Sequence, residues 1–152
     1  MSKDRSTAIP RFRQLDAGES MAVLARHHVG RLAFALHQHV DVEPISYVLA
    51  GEWLYGRTSP GTKLSTIAHN PWIAFEVDEI DGLFEWRSVV VHGTAYFLTP
   101  GVRGDQSYDE AVEHLRTIDP RALTHDDLAP HRTVLFRIHV NDVTGREAST
   151  RE

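Results

Sequence analysis

The segment Gly56-Arg-Thr-Ser-Pro-Gly-Thr-Lys63 carries the strongest chemical signal in the chain. It leaves a run of strand-forming residues and enters a helical one, so its middle lies at a helix start, where backbone N–H groups lack partners and the dipole is positive. Arg57 and Lys63 add two cations there, and Thr58, Ser59 and Thr62 add three hydroxyls. A phosphate monoester matches this set, because charge-assisted bonds from Lys and Arg combine with hydroxyl and backbone donors. The same residue types also make an ordinary capped helix with solvated cations. The order Thr-Lys after Gly61 is not that of a Walker A loop, which needs Lys-Ser/Thr, so nucleoside triphosphate hydrolysis is not expected.

Other residues suggest weaker chemistry. Trp86, Ser88, Val90 and His92 alternate along one face of a strand, where an aromatic and a hydroxyl could line a ring-shaped ligand or simply pack. His37-x-His39-x3-Glu43 reproduces the ligand core of the first cupin motif, two imidazoles and a carboxylate suited to iron, manganese or zinc. His37-Gln-His39 also falls at an expected hairpin turn, where loop histidines are solvated. His27-His28 reads as a pair at a helix C-terminus, and Asp78, Glu79 and Asp81 as solvated turn residues. No Gly-x-Ser-x-Gly and no distinctive Ser, His and Asp set is present.

The elements that must position these groups are legible in outline. Residues 1–15 form a polar, basic arm without apolar period, expected to order only against something else. Asp16-Ala-Gly-Glu19 is a capping box that opens a helix over about residues 17–28. Strands are expected at Arg31–Leu36, Ile45–Leu49 and Glu52–Tyr55. Ser59-Pro60 reads as an N-cap followed by proline at the first helical position, and Asn70-Pro71 ends that helix. Trp72–Val77 and Trp86–Leu98 are β-branched and aromatic, with Asp81-Gly82 as the hairpin turn and a bend at Gly93. Ser107-Tyr-Asp-Glu110 is a second capping box, whose helix closes before Asp119-Pro120, and Val134–Val140 is the last strand. Six mostly antiparallel strands with three helices predict a small barrel with flanking helices.

Composition narrows the function. A length of 152 residues with 41% apolar content supports one buried core. With 16 Lys+Arg against 21 Asp+Glu, no basic surplus exists to neutralise a nucleic-acid backbone, so no nucleic-acid partner is expected. The absence of cysteine excludes disulfides, thiol nucleophiles and thiolate metal sites. Apolar runs are short, as in Leu32–Leu36, and the start lacks a signal-peptide apolar region, so a cytoplasmic protein without membrane contact is expected.

Seven segments in order resemble the pyridoxamine 5'-phosphate oxidase-like FMN-binding split barrels, in particular their flavin-nucleotide-binding, nitroimidazole-resistance-like branch. They are Val29-Gly-Arg-Leu-Ala33, Pro44-Ile-Ser-Tyr47, Tyr55–Leu64, Asn70-Pro71, Phe75-Glu-Val-Asp78, Trp86-Arg-Ser-Val89 with Gly93, and Phe136-Arg-Ile with Thr144-Gly-Arg146. The resemblance implies a mainly β, six-stranded antiparallel Greek-key split barrel over residues 16–147, with 148–152 as a tail. It implies a homodimer holding FMN in clefts between protomers. Arg57, Thr58, Thr62 and Lys63 would then hold the phosphate. The main chain of Pro44, Ile45, Ser46 and Tyr47 would run beside the isoalloxazine, and Trp86 or Ser88 would approach from the second protomer. The expected activity is that of a flavin-dependent oxidoreductase on a small molecule, with electron donor and substrate unassigned. The alternatives are a flavin-binding protein without catalysis and a cupin-like metalloenzyme using His37, His39 and Glu43. Vitamin B6 oxidation is not expected: the chain stops soon after Glu147, without the substrate-holding segment of the true oxidases, and Arg137-Ile-His139 lies in the last strand. Thr62 also stands where nitroimidazole-resistance members commonly have histidine.

Overall fold

A computed structural model describes residues 8–151. Its elements are β1 (Arg11–Leu15), α1 (Ala17–Arg26), β2 (Val29–Leu36), β3 (His39–Ala50), β4 (Trp53–Thr58), α2 (Thr62–His69), β5 (Trp72–Gly82), β6 (Glu85–Leu98), α3 (Ser107–Leu115) and β7 (Val134–Ser149). The strand order is β1-β7-β4-β3-β2-β5-β6, and β6 also pairs with β7. That last pairing closes β2–β7 into a six-stranded antiparallel barrel, as expected, with β1 added outside it as a seventh strand.

Closure follows from alternation. Leu32 and Phe34 of β2, Ile73, Phe75 and Val77 of β5, and Val89 and Val91 of β6 all point inward and are buried. From α1, Val23 and Leu24 join this core, and the buried Tyr47 hydroxyl donates to the Leu24 carbonyl at 2.6 Å. A smaller apolar cluster under α3 contains Tyr55, Ala111, Leu115 and Leu135.

The first strand lies within the expected arm. Four of the five residues of Arg11–Leu15 are exposed, so no apolar period marks them. They are held instead by backbone pairing, Arg11↔Ser149 to Leu15↔Gly145, and by Arg13 bonds to Glu19 and Glu147. The same pairing places residues 148 and 149 of the expected tail in β7. Residues 1–7 of the arm and residue 152 lie outside the described part.

Three local expectations are corrected. The Asp16/Glu19 capping box forms, with Glu19 N–H donating to Asp16 at 2.7 Å, but α1 ends at Arg26, and His27 is already extended. The β5–β6 turn is Leu83-Phe84, because the register slips between Ile80 and Gly82 and carries Asp81-Gly82 into the strand. Helix α3 has no box: Asp105 reaches the Ser107 N–H first, at 2.8 Å, and Gln106 is the N-cap.

Glu79 fastens the end of α1 to β5. Its carboxylate accepts from Arg26 at 2.7 and 2.5 Å and meets His27 Nε2 at 2.6 Å. The Arg26 hydrogen bonds above all, with help from His27, hold the Glu79 carboxyl down from 4.5 to about 2 against the opposing effect of burial. A depressed carboxyl stabilises the fold fully above its unfolded value and loses that contribution as pH falls through the folded one. Half-exposed Arg26 screens the pair, so the contribution at neutral pH is about 1 kcal/mol. Glu79→Gln should therefore melt roughly 2–4 °C below wild type at pH 7. In melts run at successively lower pH the two curves should converge between 4.5 and about 2; a gap independent of pH would rule out this ion pair as its source.

Candidate functional site

Where β4 ends, its chain turns into α2 along an open stretch of β3. On one edge β3 pairs with β2 from Leu36↔His39 to Val29↔Ser46, but on the other it pairs with β4 only from Tyr47↔Gly56 onward. The β4-side edge of residues 39–46 therefore has no strand partner among the described residues. Main-chain groups there are free to bond a ligand.

The start of α2 is bare as well. Ser59-Pro60 does not cap it; the N-cap is Gly61, which has no side chain to bond the first turn. The Leu64 N–H bonds the Gly61 carbonyl at 3.1 Å, while no N-cap side chain competes for the N–H groups of Thr62 and Lys63; a helix start of this kind favours an anion. Helix α2 is fixed at its far end, where Asn70 N–H donates to Thr66 O at 3.0 Å and its side-chain amide donates to Ala35 O at 2.7 Å. Buried Ile67 anchors its inner face.

Between these two edges lies a cleft of about 450 Å³. Pro44, Ile45, Ser46, Arg57, Thr58 and Lys63 line it, so six of the ten expected site residues converge within one chain. Thr62 opens α2, and its side chain lies outside the described part. Tyr47 is a core residue whose ring packs edge-on to Phe75, so its side chain does not reach the cleft; burial pushes its hydroxyl pKa well up. Trp86 and Ser88 lie elsewhere on the same chain. Trp86 lines a second cleft with His27, Glu79 and Arg87, and its indole N–H donates to Leu83 O. Ser88 donates to Glu76 at 3.0 Å.

The two expected cleft cations, Lys63 and Arg57, have carboxylate partners. Lys63 is ion-paired with Glu43 of β3 across the cleft. Arg57 is 9% exposed and makes a fork to Asp127, at 2.6 and 2.9 Å, with a longer bond to Asp119. That fork, ahead of the Ala129 and Leu123 N–H groups, holds the Asp127 carboxyl well below its usual range. His131 and Arg132 complete the lining from the chain just before β7. Neither they nor Asp127 stood out in the sequence, since Asp127 lies 70 positions from Arg57. Gly61 leaves room for a ligand, with nothing within 4 Å of where a Cβ would stand. A bare helix start, an ammonium, the Thr58 hydroxyl and a free strand edge together fit a phosphate attached to a flat, hydrogen-bonding ring.

The histidine spacing does not assemble a metal centre. His37 sits in the β2–β3 turn at φ 56°, His39 is exposed, and Glu43 turns to Lys63 instead. Among the described residues no three His, Asp or Glu side chains converge as metal ligands. His27 and His28 leave the helix end expected for them and bond Glu79 and the Tyr47 carbonyl. His92 lies with Trp72 on the outer face, away from the cleft. No helix of the described residues is long and apolar enough to cross a membrane.

Comparison with known proteins agrees with this architecture. A FAD-binding protein from Mesorhizobium loti is 35% identical, with a TM-score of 0.73 over 91% of this chain and 99% of that one. The FAD-binding protein from Mycobacterium smegmatis is 27% identical, with a TM-score of 0.65 over 90% and 98%. An uncharacterised protein of Rhizobium meliloti is 30% identical over 92 residues, a match that spans only 60% of that protein's length. The family model described as pyridoxamine 5'-phosphate oxidase matches residues 16–147. Match and barrel agree over the same residues, and the chain belongs to the pyridoxamine 5'-phosphate oxidase family.

Proposed function

We propose that the chain is a cytoplasmic, homodimeric flavoprotein that binds FMN in the cleft between β3 and α2 and serves as an oxidoreductase for a small molecule. The observation that carries this reading is the meeting of an uncapped helix start, Lys63 and an unpaired strand edge around one cleft. Lys63, Thr58, Thr62 and the first N–H groups of α2 would hold the phosphate, and the main chain of Pro44–Ser46 would bond the ring. Names of two relatives as FAD-binding proteins support a flavin and make FAD the rival nucleotide. The bound flavin would supply the redox chemistry, accepting and passing on electrons. The protein's own part is to clamp the phosphate, bond the ring edge and leave the open side of the cleft for the acceptor. Trp86 and Ser88, remote from the cleft in one chain, would complete it from a second protomer. Exposed Val40, Val42 and Trp72 on the outer face suit burial in such a dimer.

The test is flavin binding and turnover by the purified chain. Titration with FMN, FAD and riboflavin should show FMN bound most tightly, and light scattering over a dilution series should show FMN raising dimer stability. Bleaching by a nicotinamide donor with turnover marks an oxidoreductase; bleaching without turnover leaves a flavin-binding protein. A chain that takes up none of the three flavins refutes the reading.

A further inference from the structure

The cations of the cleft differ in what a ligand could ask of them. From its two terminal nitrogens Arg57 makes four hydrogen bonds, to both oxygens of Asp127, to Asp119 and to the Arg132 carbonyl. A guanidinium has five N–H donors. Asp127 is only 3% exposed and also accepts from the N–H groups of Leu123, at 2.8 Å, and Ala129, at 2.9 Å. It is therefore the hub of the segment 119–132, a succession of turns that includes Leu123 at φ 62°. An anion that drew Arg57 away would leave the Asp127 carboxylate buried, without its cation and next to new negative charge. Such a group is costly to strand.

Lys63 and Arg132 lack this obstacle. The partner of Lys63, Glu43, is 44% exposed and can turn out into water. Arg132 is exposed at the cleft rim and has no carboxylate partner among the described residues. Its position is set by two backbone anchors, the Arg132 N–H donating to Ala129 O and the Arg57 guanidinium donating to Arg132 O.

We propose that Arg57 is a positioning residue, the strut that holds segment 119–132 as one wall of the cleft, and that Arg132 on that wall is the guanidinium that contacts the phosphate of the ligand. This rests on the flavin-nucleotide reading. The phosphate then sits between two walls, Lys63 and the α2 start on one side and Arg132 on the other, while Arg57 stays with Asp127. The assignment separates charge from scaffold: Arg132 selects for the phosphate, and Arg57 with Asp127 fixes where Arg132 stands.

Fluorescence titrations of the full chain with FMN and with riboflavin, together with melting curves, test both parts. Arg132→Ala should melt like wild type, bind FMN about tenfold more weakly and bind riboflavin unchanged. Asp127→Asn should weaken FMN binding, as should Arg57→Lys, which keeps the charge and loses the fork; the double variant should be no weaker than the worse single one. If Arg57 were instead the phosphate ligand, Asp127→Asn would release it and FMN would bind more tightly than to wild type. That result overturns the strut. Wild-type FMN affinity in Arg132→Ala overturns the contact, while the flavin reading stands. Failure of the wild-type chain to bind FMN at all removes the flavin reading and this inference with it.

Discussion

Replacing Gly93 by alanine is expected to lower the melting temperature by roughly 10 °C or to prevent folding. The reason lies in the seam that closes the barrel. Strands β6 and β7 pair from Trp86↔Ala148 to Leu98↔Leu135, but His92 faces Asp142 while Gly93 faces Val140, so Asn141 is an extra residue. At this bulge β7 is pulled toward the β3–β4 turn, where Val140 N–H donates to Glu52 O at 2.9 Å. The bend presses the two backbones together: a Cβ on Gly93 would stand 2.1 Å from the His139 carbonyl oxygen and 3.2 Å from its carbon. Backbone cannot move aside as a side chain can, so one of the two strands must leave its register. Gly82→Ala is the matched control, since the nearest atom to its Cβ would be 3.9 Å away, in the Glu85 side chain; it should stay within about 0.5 kcal/mol of wild type. Thermal melts of the two variants decide the matter, and equal melting temperatures would mean that the seam is not pinched at Gly93.

The same position shows what a sequence can and cannot carry. A bend at Gly93 was legible, because a glycine inside a long β-branched strand has few other uses. So was the Asp16/Glu19 capping box, whose two bonds lie within four residues. Local signals failed where a competitor stood nearby. Ser107 and Glu110 spell a box, yet Asp105 takes the N–H that Ser107 itself carries. Ser59-Pro60 spells a helix start, yet the chain runs on to Gly61 before it turns. The residues proposed to hold a phosphate were legible as types at a strand-to-helix junction, and six of the expected site residues do line one cleft. Their electrostatic partners were not. Asp127 joins Arg57 across 70 positions, and Glu43 meets Lys63 only because β3 runs past the start of α2. Nothing in the spacing of either pair could announce it, since only the tertiary fold brings them together. Strand β1 was hidden for a different reason: its partner edge on β7 binds backbone, and backbone pairing leaves no apolar period to read.

Lys63→Ala should bind FMN ten- to a hundredfold more weakly than wild type, and riboflavin equally well. A charge-assisted bond to phosphate contributes roughly 1.5–3 kcal/mol, which corresponds to about that range in Kd. The Glu43 carboxylate adds to the loss. In the wild-type chain it is neutralised by Lys63, but in the variant it would face the phosphate directly, with like charge. Two further variants separate these effects. Glu43→Gln removes the competitor for Lys63 and should tighten FMN a few-fold, and the double variant Glu43→Gln/Lys63→Ala should recover part of what Lys63→Ala loses. Riboflavin lacks the phosphate, so its affinity should be the same in all four proteins; a parallel fall would mean that the substitution damages the cleft rather than the clamp. If Lys63→Ala binds FMN as tightly as wild type, the ammonium does not hold the phosphate, and its pairing with Glu43 is a structural tie between β3 and α2.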